Sequence, residues 1–75
     1  MKNKYGSVIK RERENRGLKA GYVAVKLGVS AGTYSQIELG KRGLSDQRLS
    51  QILGVLGMTL ADLEEKSLAA EKAAS

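Results

Sequence analysis

The sequence predicts a compact all-α domain of five short helices, and three observations carry that prediction. Apolar residues make up 41 % of the chain, with three tyrosines and neither phenylalanine nor tryptophan, so the core must be built from Leu, Val, Ile and Ala. There is no proline, and Gly17, Gly28, Gly40, Gly43 and Gly57 each follow an amphipathic segment, so glycine supplies the punctuation that ends helices. At 75 residues the chain has room for one domain, which buries roughly 60 % of the surface its unfolded form would expose.

Ser7 to Arg16 reads as the first helix, with Val8 and Ile9 facing inward, Tyr5 ahead of them, and Gly17 in the left-handed closing position. Leu18 re-enters the core. Ala20 to Leu27 reads as a short second helix with Val23, Ala24 and Leu27 on one face, weakened by Gly21 and ended by Gly28. Gly28, Val29 and Ser30 form a three-residue turn in which Gly28 takes positive φ, Val29 plugs the core and Ser30 caps the third helix, Ala31 to about Leu39. Ser45 with Asp46 announces a fourth helix whose stripe is Leu49, Ile52, Leu53 and Leu56, before Gly57. Thr59 and Asp62 have the spacing of a capping box with a shortened acid, opening a fifth helix that carries Leu60 and Leu63. Residues 1–65 are expected to form the domain. Residues 66–75, rich in Ala, Glu and Lys, are expected to be a helical extension or a frayed tail in which only Leu68 and scattered alanines pack.

Charge is unevenly placed. The net charge is +5, and up to Arg48 there are eleven basic and four acidic residues against two basic and four acidic from Leu49 onward. The first two thirds therefore present a positive field suited to a polyanion. With no Cys and no His, disulfides, ordinary zinc sites, thiol nucleophiles and imidazole acid–base chemistry are excluded. No phosphate-cradling glycine motif or nucleophile with a base is visible, so the expectation is of a protein that is not an enzyme and takes no cofactor or metal. The apolar runs are too short to span a membrane and the start lacks a signal segment, so the expected location is cytoplasmic.

Two short helices joined by a glycine-containing turn of three residues form a helix-turn-helix, whose second helix lies in the major groove of DNA. If Tyr34 and Ile37 pack inward with Thr33 beside them, Gly32, Ser35, Gln36 and Leu39 fall on the opposite face and Ala31 stands at the tip. A helix laid against base edges needs such short or hydrogen-bonding side chains. Gln36 can pair bidentately with adenine, Ala31 can meet a thymine methyl, and Thr33 or Ser35 can bond base or phosphate. Base readout is thus expected from Ala31, Gly32, Thr33, Ser35 and Gln36, with phosphate contacts from Ser30 and from Lys41 and Arg42 on the Gly40–Gly43 turn. The alternating charges of Lys10, Arg11, Glu12, Arg13 and Glu14 are expected to be a wet helix face.

The segments Gly28-Val29-Ser30 and Ile37-Glu38-Leu39-Gly40-Lys41, spaced behind Val23-Ala24, resemble the Cro/C1-type helix-turn-helix family of phage repressors and bacterial XRE-like regulators. The resemblance covers about Tyr5 to Leu63. It implies a lambda-repressor-like five-helix domain, with the helix-turn-helix in helices two and three, that binds double-stranded DNA as a two-fold dimer. It also implies a structural salt bridge between Arg13 and Glu38. Where the family commonly opens helix two with Ser or Thr followed by Gln, this chain has Lys19 and Ala20, and Lys19 is expected to replace the Gln contact to phosphate as a point charge. Ala31 and Gly32 also depart from the longer side chains that often stand at the first reading positions, which leaves room for water-mediated contacts and DNA shape.

The resulting expectation is a transcriptional repressor or autoregulator that binds an inverted-repeat operator as a homodimer, with half-sites about 34 Å apart. The dimer surface would come from helix five, the tail, or the loop before helix four. The alternative is an antitoxin or adaptor that also binds a protein partner, through Tyr22, Val25 or the alanine-rich tail.

Overall fold

The computed structural model describes residues 2–74; Met1 and Ser75, the outer ends of the two units expected above, lie outside the described residues. Among the described residues there are five α-helices and no strand: α1 (Gly6–Asn15), α2 (Ala20–Leu27), α3 (Ala31–Glu38), α4 (Asp46–Leu56) and α5 (Leu60–Ala74). The core draws on every helix. Ile9 of α1, Val23 of α2, Tyr34 and Ile37 of α3, Ile52 of α4 and Leu63 of α5 are essentially sealed from solvent. These positions recur at helical spacing in the sequence, so burying them forces each helix to turn its polar face outward. α2 packs on α3 and on α4, while α1 bridges α3 and α5.

Helices α1 to α4 are closed in one way. Gly17, Gly28, Gly40 and Gly57 take left-handed φ of 69°, 73°, 75° and 72°. In each case the next residue's N–H reaches back to the carbonyl five residues earlier: Leu18 to Arg13, Val29 to Ala24, Lys41 to Gln36 and Met58 to Leu53. This closure returns an apolar residue to the core at Leu18, Val29 and Met58, which is why turns of only a few residues suffice between helices. Gly43 is not left-handed and simply lies in the loop before α4.

Helix starts are equally explicit. Ser30 Oγ accepts from Thr33 N–H at 3.1 Å and Ser45 Oγ from Arg48 N–H at 3.1 Å. At α5 the capping box is reciprocal: Asp62 N–H donates to Thr59 Oγ1 at 3.1 Å and Thr59 N–H to Asp62 Oδ2 at 3.0 Å. The bond from Thr59 N–H, with the Thr59 hydroxyl beside it, favours the charged carboxylate and holds Asp62 below its ordinary pKa. Helix α1 starts one residue before the expected Ser7 and ends one before Arg16. The early start follows from Asn3, whose Oδ1 accepts from both Tyr5 N–H (3.0 Å) and Gly6 N–H (2.7 Å), and at the far end Arg16 is the C-cap.

Two surface expectations need correction. The charged run on α1 is not a wet face throughout, because Glu12 and Arg13 are 5 % and 8 % exposed. Glu12 accepts from Arg16 at 2.9 Å and lies 3.9 Å from Lys66 of α5, so its desolvation is offset by cations from two helices. In α5 the packing beyond Glu65 does not use Leu68, which is 58 % exposed. The inward stripe instead continues from Leu63 through Ser67 and Ala70, positions i, i+4 and i+7 of one face.

Candidate nucleic-acid interface

The outer face of α3 is set by what its inner face must do. Tyr34 and Ile37 are buried at 0 % and 2 %, and the helical period then drives Ala31, Gly32, Ser35, Gln36 and Leu39 into solvent, where all five are exposed. Thr33 is half-buried at the edge. No carboxylate stands on this face, since the one acid of α3, Glu38, is buried. A Cβ added at Gly32 would meet nothing nearer than Ser30 Oγ at 4.0 Å, so the fold itself makes no demand for glycine there.

Ser30 is spent on the helix it starts. Besides accepting from Thr33 N–H, its hydroxyl donates to Thr33 Oγ1 at 3.0 Å. Lys19 occupies the N-cap of α2 in an extended conformation without capping it, and its side chain is exposed. At the other end of α3, left-handed Gly40 turns the chain so that Lys41 and Arg42 project into solvent beside the last turn of the helix. Gln36, Lys41, Arg42, Gly43 and Lys2 line one concavity of about 300 Å³.

The angle of α3 is fixed from behind. Arg13 of α1 and Glu38 of α3 form a bidentate pair, Nε to Oε2 at 2.7 Å and Nη2 to Oε1 at 3.1 Å, with side chains 10 % and 6 % exposed. The remaining reach of the guanidinium goes to the carbonyl of Leu18, 2.7 Å from Nη1, so one side chain ties α1, α3 and the α1–α2 turn together. The bond to the Glu38 carboxylate raises the Arg13 pKa above its ordinary value. Among the described residues the buried Tyr34 hydroxyl has no well-formed hydrogen bond, and burial, reinforced by the neighbouring Glu38 carboxylate, pushes its ionisation upward.

Other arginines serve as cross-braces. Arg16 Nε donates to the carbonyl of Leu56 at 2.7 Å and Arg48 Nη1 to that of Leu27 at 3.0 Å. Each satisfies a carbonyl that the end of α4 or α2 leaves open. Part of the basic excess is therefore structural, whereas Lys2, Lys41 and Arg42 are exposed beside Gln36 of α3 and Lys19 is exposed at the start of α2.

Sequence reasoning missed three residues that shape this face. Lys2 N–H donates to the carbonyl of Gly40 at 2.8 Å. Asn3 Nδ2 donates to the carbonyls of Ile37 (3.0 Å) and Arg42 (2.9 Å). Gly6 lies so near the end of α3 that a Cβ there would sit 2.5 Å from the Ile37 carbonyl oxygen and 2.6 Å from that of Glu38. An asparagine three residues ahead of a helix is a recognisable capping signal; its second grip, on α3, has no local signature.

Residues 9–63 match the family described as Helix-turn-helix. No curated protein matches the chain. The structure is similar to two crystal structures of the clp gene regulator ClgR from Corynebacterium glutamicum. One superposes with a TM-score of 0.86 at 25 % identity, over 97 % of this chain and 80 % of that chain. The other gives a TM-score of 0.84 at 23 % identity, over 92 % of this chain and 90 % of that chain.

Proposed function

Because the chain belongs to the Cro/C1-type (XRE-like) helix-turn-helix family, we propose that it is a DNA-binding transcriptional regulator that acts as a homodimer on an inverted-repeat operator. The observation that carries this reading is the outer face of α3: five exposed positions without a charge, followed directly past its last turn by exposed Lys41 and Arg42. That distribution suits an element laid into the major groove, with neutral groups toward base edges and cations toward the phosphate backbone. It is a reading of function from the site, which the similarity to a gene regulator supports.

In this arrangement Ala31, Gly32, Thr33, Ser35 and Gln36 face the bases. Gln36 is the long amide able to pair bidentately with adenine N6 and N7, and Gly32 allows the backbone of α3 to approach closely. Lys19, Lys41 and Arg42 hold phosphates. Ser30 joins them only by exchanging its bond to Thr33 for one to a phosphate oxygen. Residues 1–65 make up the DNA-binding unit and 66–75 extend it, with the dimer surface drawn from α5, its extension or the loop before α4. A protein partner is the second reading, favoured by Tyr22 and Val25, which are 48 % and 78 % exposed on the outer side of α2.

The test is footprinting on the DNA upstream of the protein's own gene, where two protected half-sites one helical turn apart are expected. Replacing Gln36 by Ala is expected to relax preference at one base pair in each half-site by about 1–3 kcal/mol. Equal losses on this DNA and on random duplex would remove Gln36 from base readout.

A further inference from the structure

We propose that the N-terminal segment is a working part of the same interface: Lys2, Lys41 and Arg42 form one notch for a backbone phosphodiester of DNA, and Asn3 is the positioning residue that holds the notch together. The proposal rests on the DNA-binding reading and deepens it by adding a contact outside the helix-turn-helix.

The notch is the concavity of about 300 Å³ lined by Lys2, Gln36, Lys41, Arg42 and Gly43. Among the described residues three cations line it and no carboxylate does. Like charges gathered at one concavity repel, and an anion seated among them relieves that repulsion while gaining from all three. The floor is open as well, since a Cβ at Gly43 would meet nothing within 4 Å, so a phosphate oxygen can come close to the backbone. Gln36 shares the wall, which selects the phosphate next to the base pair that Gln36 reads.

A lysine outside any helix would ordinarily lose much conformational freedom on binding, and its contribution would be small. Here that ordering is already done by the fold. Lys2 N–H is bonded to Gly40 and Asn3 Nδ2 to Ile37 and Arg42, so three hydrogen bonds lash the segment to the end of α3 and to the basic turn. Asn3 Oδ1 at the same time caps α1 through Tyr5 and Gly6. One amide thus sets the spacing between Lys2 and Arg42 and fixes both against α3.

The experiment is fluorescence anisotropy of the full chain with a mixed-sequence duplex, read as the slope of log affinity against log salt concentration. Each phosphate contact contributes about 0.9 to that slope. Lys2→Ala is expected to lower it by about 0.9, as Lys41→Ala does, whereas Lys66→Ala, which removes the same charge beside Glu12, leaves it unchanged. In an Asn3→Ala background, Lys2→Ala is expected to have no further effect on the slope, a coupling that a purely structural Asn3 would not produce. An unchanged slope for Lys2→Ala with a lowered one for Lys41→Ala overturns the notch while leaving DNA binding in place. A loss for Lys66→Ala equal to that for Lys2→Ala overturns it in favour of bulk charge. Additive slopes for Lys2 and Asn3 overturn the positioning role. Should Asn3→Ala fail to fold, Lys2→Ala alone still decides the notch. If the unaltered protein shows no salt-dependent binding, the DNA-binding reading falls and the notch with it.

Discussion

Gly6 and Tyr34 are the two residues at which single atoms matter most. At Gly6 a methyl group would meet the carbonyl oxygens of Ile37 and Glu38 well inside contact distance, and these are backbone atoms that cannot rotate aside. Alanine in a first helical turn gains up to about 1 kcal/mol of helix propensity over glycine, but overpacking against fixed atoms costs about 1–3 kcal/mol, so the clash wins. Gly6→Ala is expected to lower the urea midpoint; an unchanged midpoint would mean that α1 can slide away from α3 freely. Tyr34 presents the opposite case. Its ring fills the core, but its hydroxyl is buried with no well-formed hydrogen bond among the described residues, so the neighbouring Glu38 carboxylate does little to offset its lost hydration. Tyr34→Phe is therefore expected to leave stability unchanged or raise it by about 1 kcal/mol. A clear loss in thermal melting would reveal a bond to that hydroxyl.

At the scale of elements, the relation of α1 to α3 decides how the proposed reading face is aimed. It is held by the Arg13–Glu38 pair, by Asn3 and by the close approach at Gly6, which meet α3 at its last turn. Removing the Glu38 charge would strand a guanidinium that is 10 % exposed, and breaking one side of such a buried pair costs about 3–5 kcal/mol. Glu38→Gln is expected to fall near the lower figure, because the amide oxygen still accepts one bond, and the loss is large for a domain whose whole stability is about 5–15 kcal/mol. Replacing both partners, Arg13→Met with Glu38→Leu, is expected to recover most of it. Chemical denaturation of the single and double variants checks this. A double variant no better than Glu38→Gln would show that the pair contributes net stability beyond its own desolvation.

At the scale of the whole molecule, one copy presents one helix of eight residues for the proposed readout, enough to contact only a few base pairs. Under the proposed function, selective binding in a genome calls for a second copy, with two α3 helices set about 34 Å apart along one face of the duplex. Sedimentation of the protein with a duplex carrying the footprinted site is expected to give two protomers per duplex. A single protomer on DNA, with a monomer free in solution, would sink the inverted-repeat reading. The exposed Val25, Leu39 and Leu68 do not by themselves select the dimer surface, since scattered exposed apolar residues are common.

The sequence by itself determined the elements of this protein. Helical spacing of Leu, Ile and Val named the inner faces. Gly17, Gly28 and Gly57 marked three helix ends, and Ser30, Ser45 and the Thr59–Asp62 pair marked three starts, because periodicity and capping act over a few neighbouring residues. With the inner face of α3 known, its outer face followed. Tertiary structure alone decided what joins residues far apart in the chain. Glu12 looked like a solvated acid until Lys66 and the packing of α5 enclosed it. Gly6 looked unremarkable until the end of α3 was laid against it, and Arg16 and Arg48 looked like field charges until each reached a distant helix end. Ser67, not Leu68, turned inward because the register of α5 on α1 is set by Leu63. Lys2 joined the basic face only because Asn3 spans from the start of α1 to the end of α3. Such contacts depend on where helices meet in space, and the local pattern of the chain holds no record of that.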